Sequence, residues 1–213
     1  MNRSIRSTML RAGAALAITA LAAGVSAAPA QARETPKLGS TCAVSGMTEI
    51  ASGKAYVCVS RTEGAKPRWG RGLPVSRAAI TLADGWAKAA DSGMSAAFGM
   101  VTNPTAKPIR IVGAFSSYAK AVQLHEVVAQ EGSMVMQQKA GGFVIPASGT
   151  LELKPGGNHL MLMGITKPVK AGAMIPITLI TADGGLMRTK VLAKVFMGAN
   201  ETYDGGMSDM SGM

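Results

Sequence analysis

Between residues 78 and 196, no ten-residue stretch carries the 3.6-residue apolar period and the caps of a helix. Gly, Pro and Asn instead cut the chain into short β-prone runs at 109–115, 120–128, 142–145, 150–153, 160–163, 175–181 and 189–195. Seven such runs in about 120 residues predict an all-β fold, an antiparallel sandwich or Greek-key barrel. With 47% hydrophobic and 16% charged residues, the chain can bury a core and does not have the composition of a disordered protein. Aromatics at 4% argue against a single-strand nucleic-acid binder that works by base stacking.

Residues 1–32 read as a secretory leader. Arg3, Arg6 and Arg11 make a positive start, residues 12–25 are small and apolar apart from Thr19, and Ala30-Gln31-Ala32 supplies a small-x-small cleavage pattern. Cleavage is expected after Ala32, with Ala28 as the alternative. The apolar run is too short to span a bilayer comfortably, and no other charge-free segment is as long, so no stable membrane insertion is expected. No Cys directly follows the run, which excludes lipid attachment at that point. Losing the three leader arginines takes the 22 basic residues to 19 against 12 acidic, a net +7. That charge is spread along the chain, as in a basic exported protein of the periplasm or extracytoplasmic space, and nucleic acid is not an expected partner.

Export also bears on Cys42 and Cys58, the only cysteines. Outside the cytoplasm two thiols usually pair, and their spacing fits neither a zinc pattern nor a redox C-x-x-C. A structural disulfide is expected, holding a small module over 33–77 in which residues 55–59 read as a strand and Trp69 as a packing element. The main domain then runs over 78–199. The tail, 200–213, is mostly Gly, Ser, Asp and Met, and is expected to be mobile.

Chemistry-bearing patterns are few. There is no G-x-S-x-G, no H-E-x-x-H and no Gly-rich phosphate loop before a helix, and the carboxylates do not pair, so an enzyme is not expected. Against two His stand fifteen Met, and each His lies near methionines: His125 ahead of Met134 and Met136, His159 just before Met161 and Met163. Residues two apart on a strand share a face, which places His159 with Met161 and Met134 with Met136. Imidazoles and thioethers without thiolate or carboxylate form a soft, neutral set that suits Cu(I) rather than zinc, calcium or magnesium. Met is also a common core filler, and 160–163 reads equally well as a buried strand with no ligand role.

Further motifs carry a resemblance. Val112-Gly113-Ala114 with Ser116, Val122-Gln123-Leu124-His125-Glu126 and Gly132-Ser133-Met134-Val135-Met136 resemble the periplasmic copper chaperone family PCu(A)C. The likeness continues through Ile145-Pro146-Ala147, through the run from Gly149 to Gly157, and through His159-Leu160-Met161-Leu162-Met163-Gly164, and spans roughly 79–196. The family spaces its motif as His, ten residues, Met, twenty-one residues, His-x-Met. Here twenty-two residues separate Met136 from His159, and the additional one is expected in the loop around Gly141-Gly142.

The resemblance implies a cupredoxin-like β-fold that binds one Cu(I) near the surface through His125, Met136, His159 and Met161. It further implies a carrier whose partners are a copper-accepting subunit of cytochrome c oxidase or another copper chaperone. Met134 and the tail residues Met207, Met210 and Met213 are possible auxiliary ligands. An extracytoplasmic copper buffer for tolerance, or a secreted β-domain whose His and Met are structural, are the competing readings.

Overall fold

The computed structural model describes residues 34–62, 64–130 and 133–198, together with the backbone of 202–203. The leader expectation and Met207, Met210 and Met213 fall outside the described residues.

In the N-terminal segment, β1 (Thr48–Ala51) and β2 (Lys54–Val59) form an antiparallel hairpin. Its turn places Ser52 and Gly53 at positive φ, the conformation in which a two-residue loop matches strand twist. The short strands β3 (Arg68–Trp69) and β4 (Leu73–Pro74) extend β2, and a Cys42–Cys58 disulfide ties the preceding loop to it.

The larger, 12-stranded sheet contains β5 (Ser76–Arg77), β6 (Thr81–Lys88), β7 (Met94–Thr102), β8 (Ile109–Phe115), β9 (Ala119–Gln130) and β10 (Ser133–Gln138). It continues with β11 (Phe143–Ile145), β12 (Thr150–Leu153), β13 (His159–Ile165), β14 (Met174–Thr181), β15 (Gly185–Lys194) and β16 (Thr202–Tyr203). Pairing runs β8-β14-β15-β6-β7-β13-β9 and returns to β8 through Ala114 opposite Val122, so the sheet closes into a barrel. The ring is antiparallel except for a parallel β6–β15 seam. The fold is all-β, as the punctuation of the sequence predicts, and no described residue is helical.

Each of the seven sequence-predicted runs lies on a strand. Three further strands of this sheet longer than two residues carry no such run. Thr81–Lys88 and Met94–Thr102 are rich in Ala, Gly and Met rather than β-branched residues. Their strand state comes from pairing with each other, of β7 with β13 and of β6 with β15, not from local preference. The third, β10, pairs with β9 from Ser133 to Gln138, and the backbone of Thr202–Tyr203 in turn lies parallel to it beside Val135 and Met136. The loop around Gly141-Gly142 is a tight turn between β10 and β11, where the Gly142 N–H donates to the Lys139 carbonyl.

Two separate cores sit on the two sides of the strands. Val122 and Leu124 of β9 and Leu160 and Leu162 of β13 face inward and join Ile111, Ile177, Leu179 and Val191 in the barrel core. The alternate residues of the same strands face outward yet remain buried. Ala121, Met161 and Met163 pack there with Ala96, Phe98 and Met136, under Val44 and Met47 of the N-terminal segment and beside Trp86 and Met94.

The N-terminal segment therefore does not rest on its disulfide alone. Ala55 and Val57 share a third apolar cluster with Ile180 and Leu186 of β14 and β15. At Gly184 the approach is closest: with φ +91°, an added Cβ would lie 1.9 Å from the Pro74 carbonyl oxygen. Only glycine fits both that conformation and that gap.

Candidate metal centre

The pairing of β9 with β13 sets His125 directly opposite His159. Opposed residues of an antiparallel pair point to the same side of the sheet, here the outer side. The ring centroids are 5.5 Å apart. Two positions along β13, Met161 shares that face, and β10, paired to the other edge of β9, contributes Met136. His159 Nε2 lies 3.2 Å from Met136 Sδ. Four side chains separated by as many as 36 positions in the sequence thus meet on three adjacent strands.

All four are buried: His125 is fully inaccessible, and Met161, the most exposed of them, retains 8%. Met136, His159 and Met161 nevertheless line an open cleft of about 210 Å³, walled by Met94, Ala96, Phe98 and Pro155, with Lys88 at its border. His125 stands behind that wall. Its pKa is pushed from 6.5 down to about 3, chiefly because burial penalises the imidazolium and secondarily because His159 sits nearby. The ring is therefore neutral at neutral pH and has a nitrogen lone pair to offer a metal.

Two hydrogen bonds fix the rings. His159 Nδ1 is 2.9 Å from the Gly157 carbonyl, and His125 Nε2 is 2.8 Å from Gln123 Oε1. Glu126, the carboxylate nearest His125 in sequence, is held by Lys139 and Gln137. Among the described residues, no three His, Cys, Asp or Glu come together. The donor set is two imidazoles and two thioethers, neutral and soft, and such a set fits Cu(I).

Met134 is 54% exposed and lies outside the cleft and the methionine cluster. It shares a face with Met136 by register but lies two residues nearer the start of β10, where it is exposed. Cys42 and Cys58 are bonded to each other in the N-terminal segment and line no part of the cleft. Met94, Phe98 and Gln123 escaped the sequence reading as parts of the site. For Gln123 a signal was present, since it precedes His125 by two residues on a strand. For Met94 and Phe98 there was none, because β7 itself was not read.

An all-β barrel with a buried His/Met cluster on its outer face defines the class, and sequence comparison supplies the family. The LpqE-like lipoprotein family matches residues 80–193, and the chain belongs to it. That stretch contains all four side chains of the cluster and begins after the N-terminal segment. Lipoprotein Lxx21020 of Leifsonia xyli subsp. xyli (strain CTCB07) is 48% identical over 126 residues, 59% of this chain and 76% of the relative. Among solved structures, the copper-bound PCuAC domain from PmoF2 superposes with a TM-score of 0.47 at 20% identity, over 57% of this chain and 97% of that one. The solution structure of CuI-DR1885 from Deinococcus radiodurans gives 0.44 at 29% identity, over 56% and 82%.

Proposed function

We propose that this protein is an exported Cu(I) carrier, holding one ion between His125, Met136, His159 and Met161 and passing it to the copper centre of cytochrome c oxidase. The observation that carries this reading is the convergence of both histidines of the chain with two methionines, His125 lying just behind the cleft that the other three line. Burying two opposed imidazoles carries a desolvation cost that apolar residues at the same positions would avoid. Neutral ligands hold Cu(I) without the charge that would trap it, and three of the four line a cleft open to an acceptor. Blue-copper electron transfer needs a Cys thiolate beside His and Met, and both thiols here are consumed by the disulfide.

The leader pattern, the disulfide and the lipoprotein family name support export. No described helix is long and apolar enough to cross a membrane. With Cys42 and Cys58 bonded to each other, neither thiol is available for lipid attachment.

Delivery is tested by mixing the Cu(I)-loaded protein anaerobically with the metal-free soluble copper domain of an oxidase and separating the two. Copper on the acceptor supports the carrier. Retention by this chain, with a deletion strain sensitive only to excess copper, would make it a buffer instead.

A further inference from the structure

Gln123 sits between the N-terminal segment and His125, 5% exposed, and two of its hydrogen bonds leave little freedom in how protons are placed. Its Nε2 is 2.9 Å from the Ser45 backbone carbonyl, and its Oε1 is 2.8 Å from His125 Nε2. A backbone carbonyl can only accept, so the amide NH2 must face Ser45 and the amide oxygen must face His125. That oxygen also only accepts. The proton of the neutral His125 ring therefore resides on Nε2, and the lone pair on Nδ1, which is itself fully buried. His159 is arranged the other way round: its Nδ1 donates to the Gly157 carbonyl, so that in the neutral ring the lone pair is on Nε2, the atom facing Met136.

We infer that the N-terminal segment acts as the outer support of the metal centre, through a relay from the Ser45 carbonyl to Gln123 to His125. Gln123 is a positioning residue, and the two histidines hold opposite tautomers, His125 offering Nδ1 and His159 offering Nε2. The offer to a metal rests on the copper reading, whereas the tautomers do not. The contact is close as well as polar. A Cβ added at Gly46 would lie 2.7 Å from Gln123 Cγ and 2.7 Å from the Val122 carbonyl oxygen, so the loop next to Ser45 is pressed onto β9. The Val122 N–H also donates to the Gly46 carbonyl, at 3.3 Å. Polar partners of this kind fix ligand orientation, and losing one typically lowers metal affinity about 10–100-fold.

The test is a long-range ¹H–¹⁵N correlation spectrum of the histidine rings in the metal-free, ¹⁵N-labelled chain. It should show His125 protonated on Nε2 and His159 on Nδ1; a His125 ring protonated on Nδ1 would overturn the proposal. In Gln123→Leu, and independently in Gly46→Ala, which displaces Gln123 from the other side, His125 should lose its single Nε2-protonated form. Unchanged His125 ring shifts in a folded variant of either kind would remove Gln123 from its role. A wild-type chain with the expected tautomers that fails to bind Cu(I) would sink the copper reading and leave the relay intact. Where Cu(I) does bind, affinity in Gln123→Leu should fall about 10–100-fold.

Discussion

His125 and His159 occupy one cross-strand pair, opposed in register on β9 and β13 with ring centroids 5.5 Å apart. Because side chains alternate along a strand, a slip of one residue would turn either ring into the barrel core and bring Leu124 or Leu160 out. Both faces of these strands are buried, so the register is held from two sides. The site is a consequence of how the barrel is packed.

Acid should destabilise the metal-free protein through His125. The folded-state pKa lies near 3 against 6.5 in the unfolded chain, so the unfolded state takes up the proton first as pH falls. Stability from the neutral buried ring is complete above pH 6.5 and is lost progressively towards pH 3. Asp183, whose pKa lies below its ordinary 3.8 chiefly through the Thr181 hydroxyl, acts only at the acid end of that window. Urea midpoints should therefore fall between pH 6.5 and 4.5 in the wild type and change much less in His125→Phe. A wild-type midpoint that stays level over that range would contradict the burial argument.

Met161 and Met163 should separate binding from stability. Met163 is 2% exposed and stays outside the cleft, whereas Met161 lines it. Met163→Ala should cost about 2–5 kcal/mol while leaving the cleft ligands in place. Met161→Ala should weaken Cu(I) binding with a smaller loss of stability. Denaturant melts paired with Cu(I) competition would expose the opposite pattern if the roles were exchanged.

The disulfide should matter to stability and not to ligation. Closing a loop of about 15 residues contributes on the order of 3 kcal/mol, and the Cys42→Ser/Cys58→Ser protein should lose about that much. Alkylation of the denatured wild type should add mass only after reduction. Free thiols in the exported protein would reopen both cysteines as ligands.

At the seam between the N-terminal segment and the barrel, Gly184→Ala should destabilise by at least about 1 kcal/mol, since it combines a left-handed backbone with a collision against Pro74. Hydrogen exchange should quicken at β4 and β15. A variant as stable and as protected as wild type would mean that the segment is not seated there.

Local signals identified the β-class and the strands with β-branched runs, because those residues favour the extended state unaided. The His-x-Met spacing was legible for the same reason, since period two is a property of one strand. The meeting of His125 with His159 was not legible, because pairing and register between β9 and β13 are set by the whole barrel. β6 and β7 lacked a local signal, and with them the Phe98 and Met94 walls of the cleft. Covering the outer core with Val44 and Met47 depends on how the first segment docks, which no spacing in the sequence encodes.

The most direct measurement is an anaerobic Cu(I) titration against a chromophoric competitor, with X-ray absorption on the loaded protein, for the wild type and His159→Ala. A Cu(I) centre at these four residues predicts one tight ion per chain with mixed nitrogen and sulfur scattering, abolished in His159→Ala. No stoichiometric binding in the wild type, or a tight site that survives His159→Ala, would contradict it.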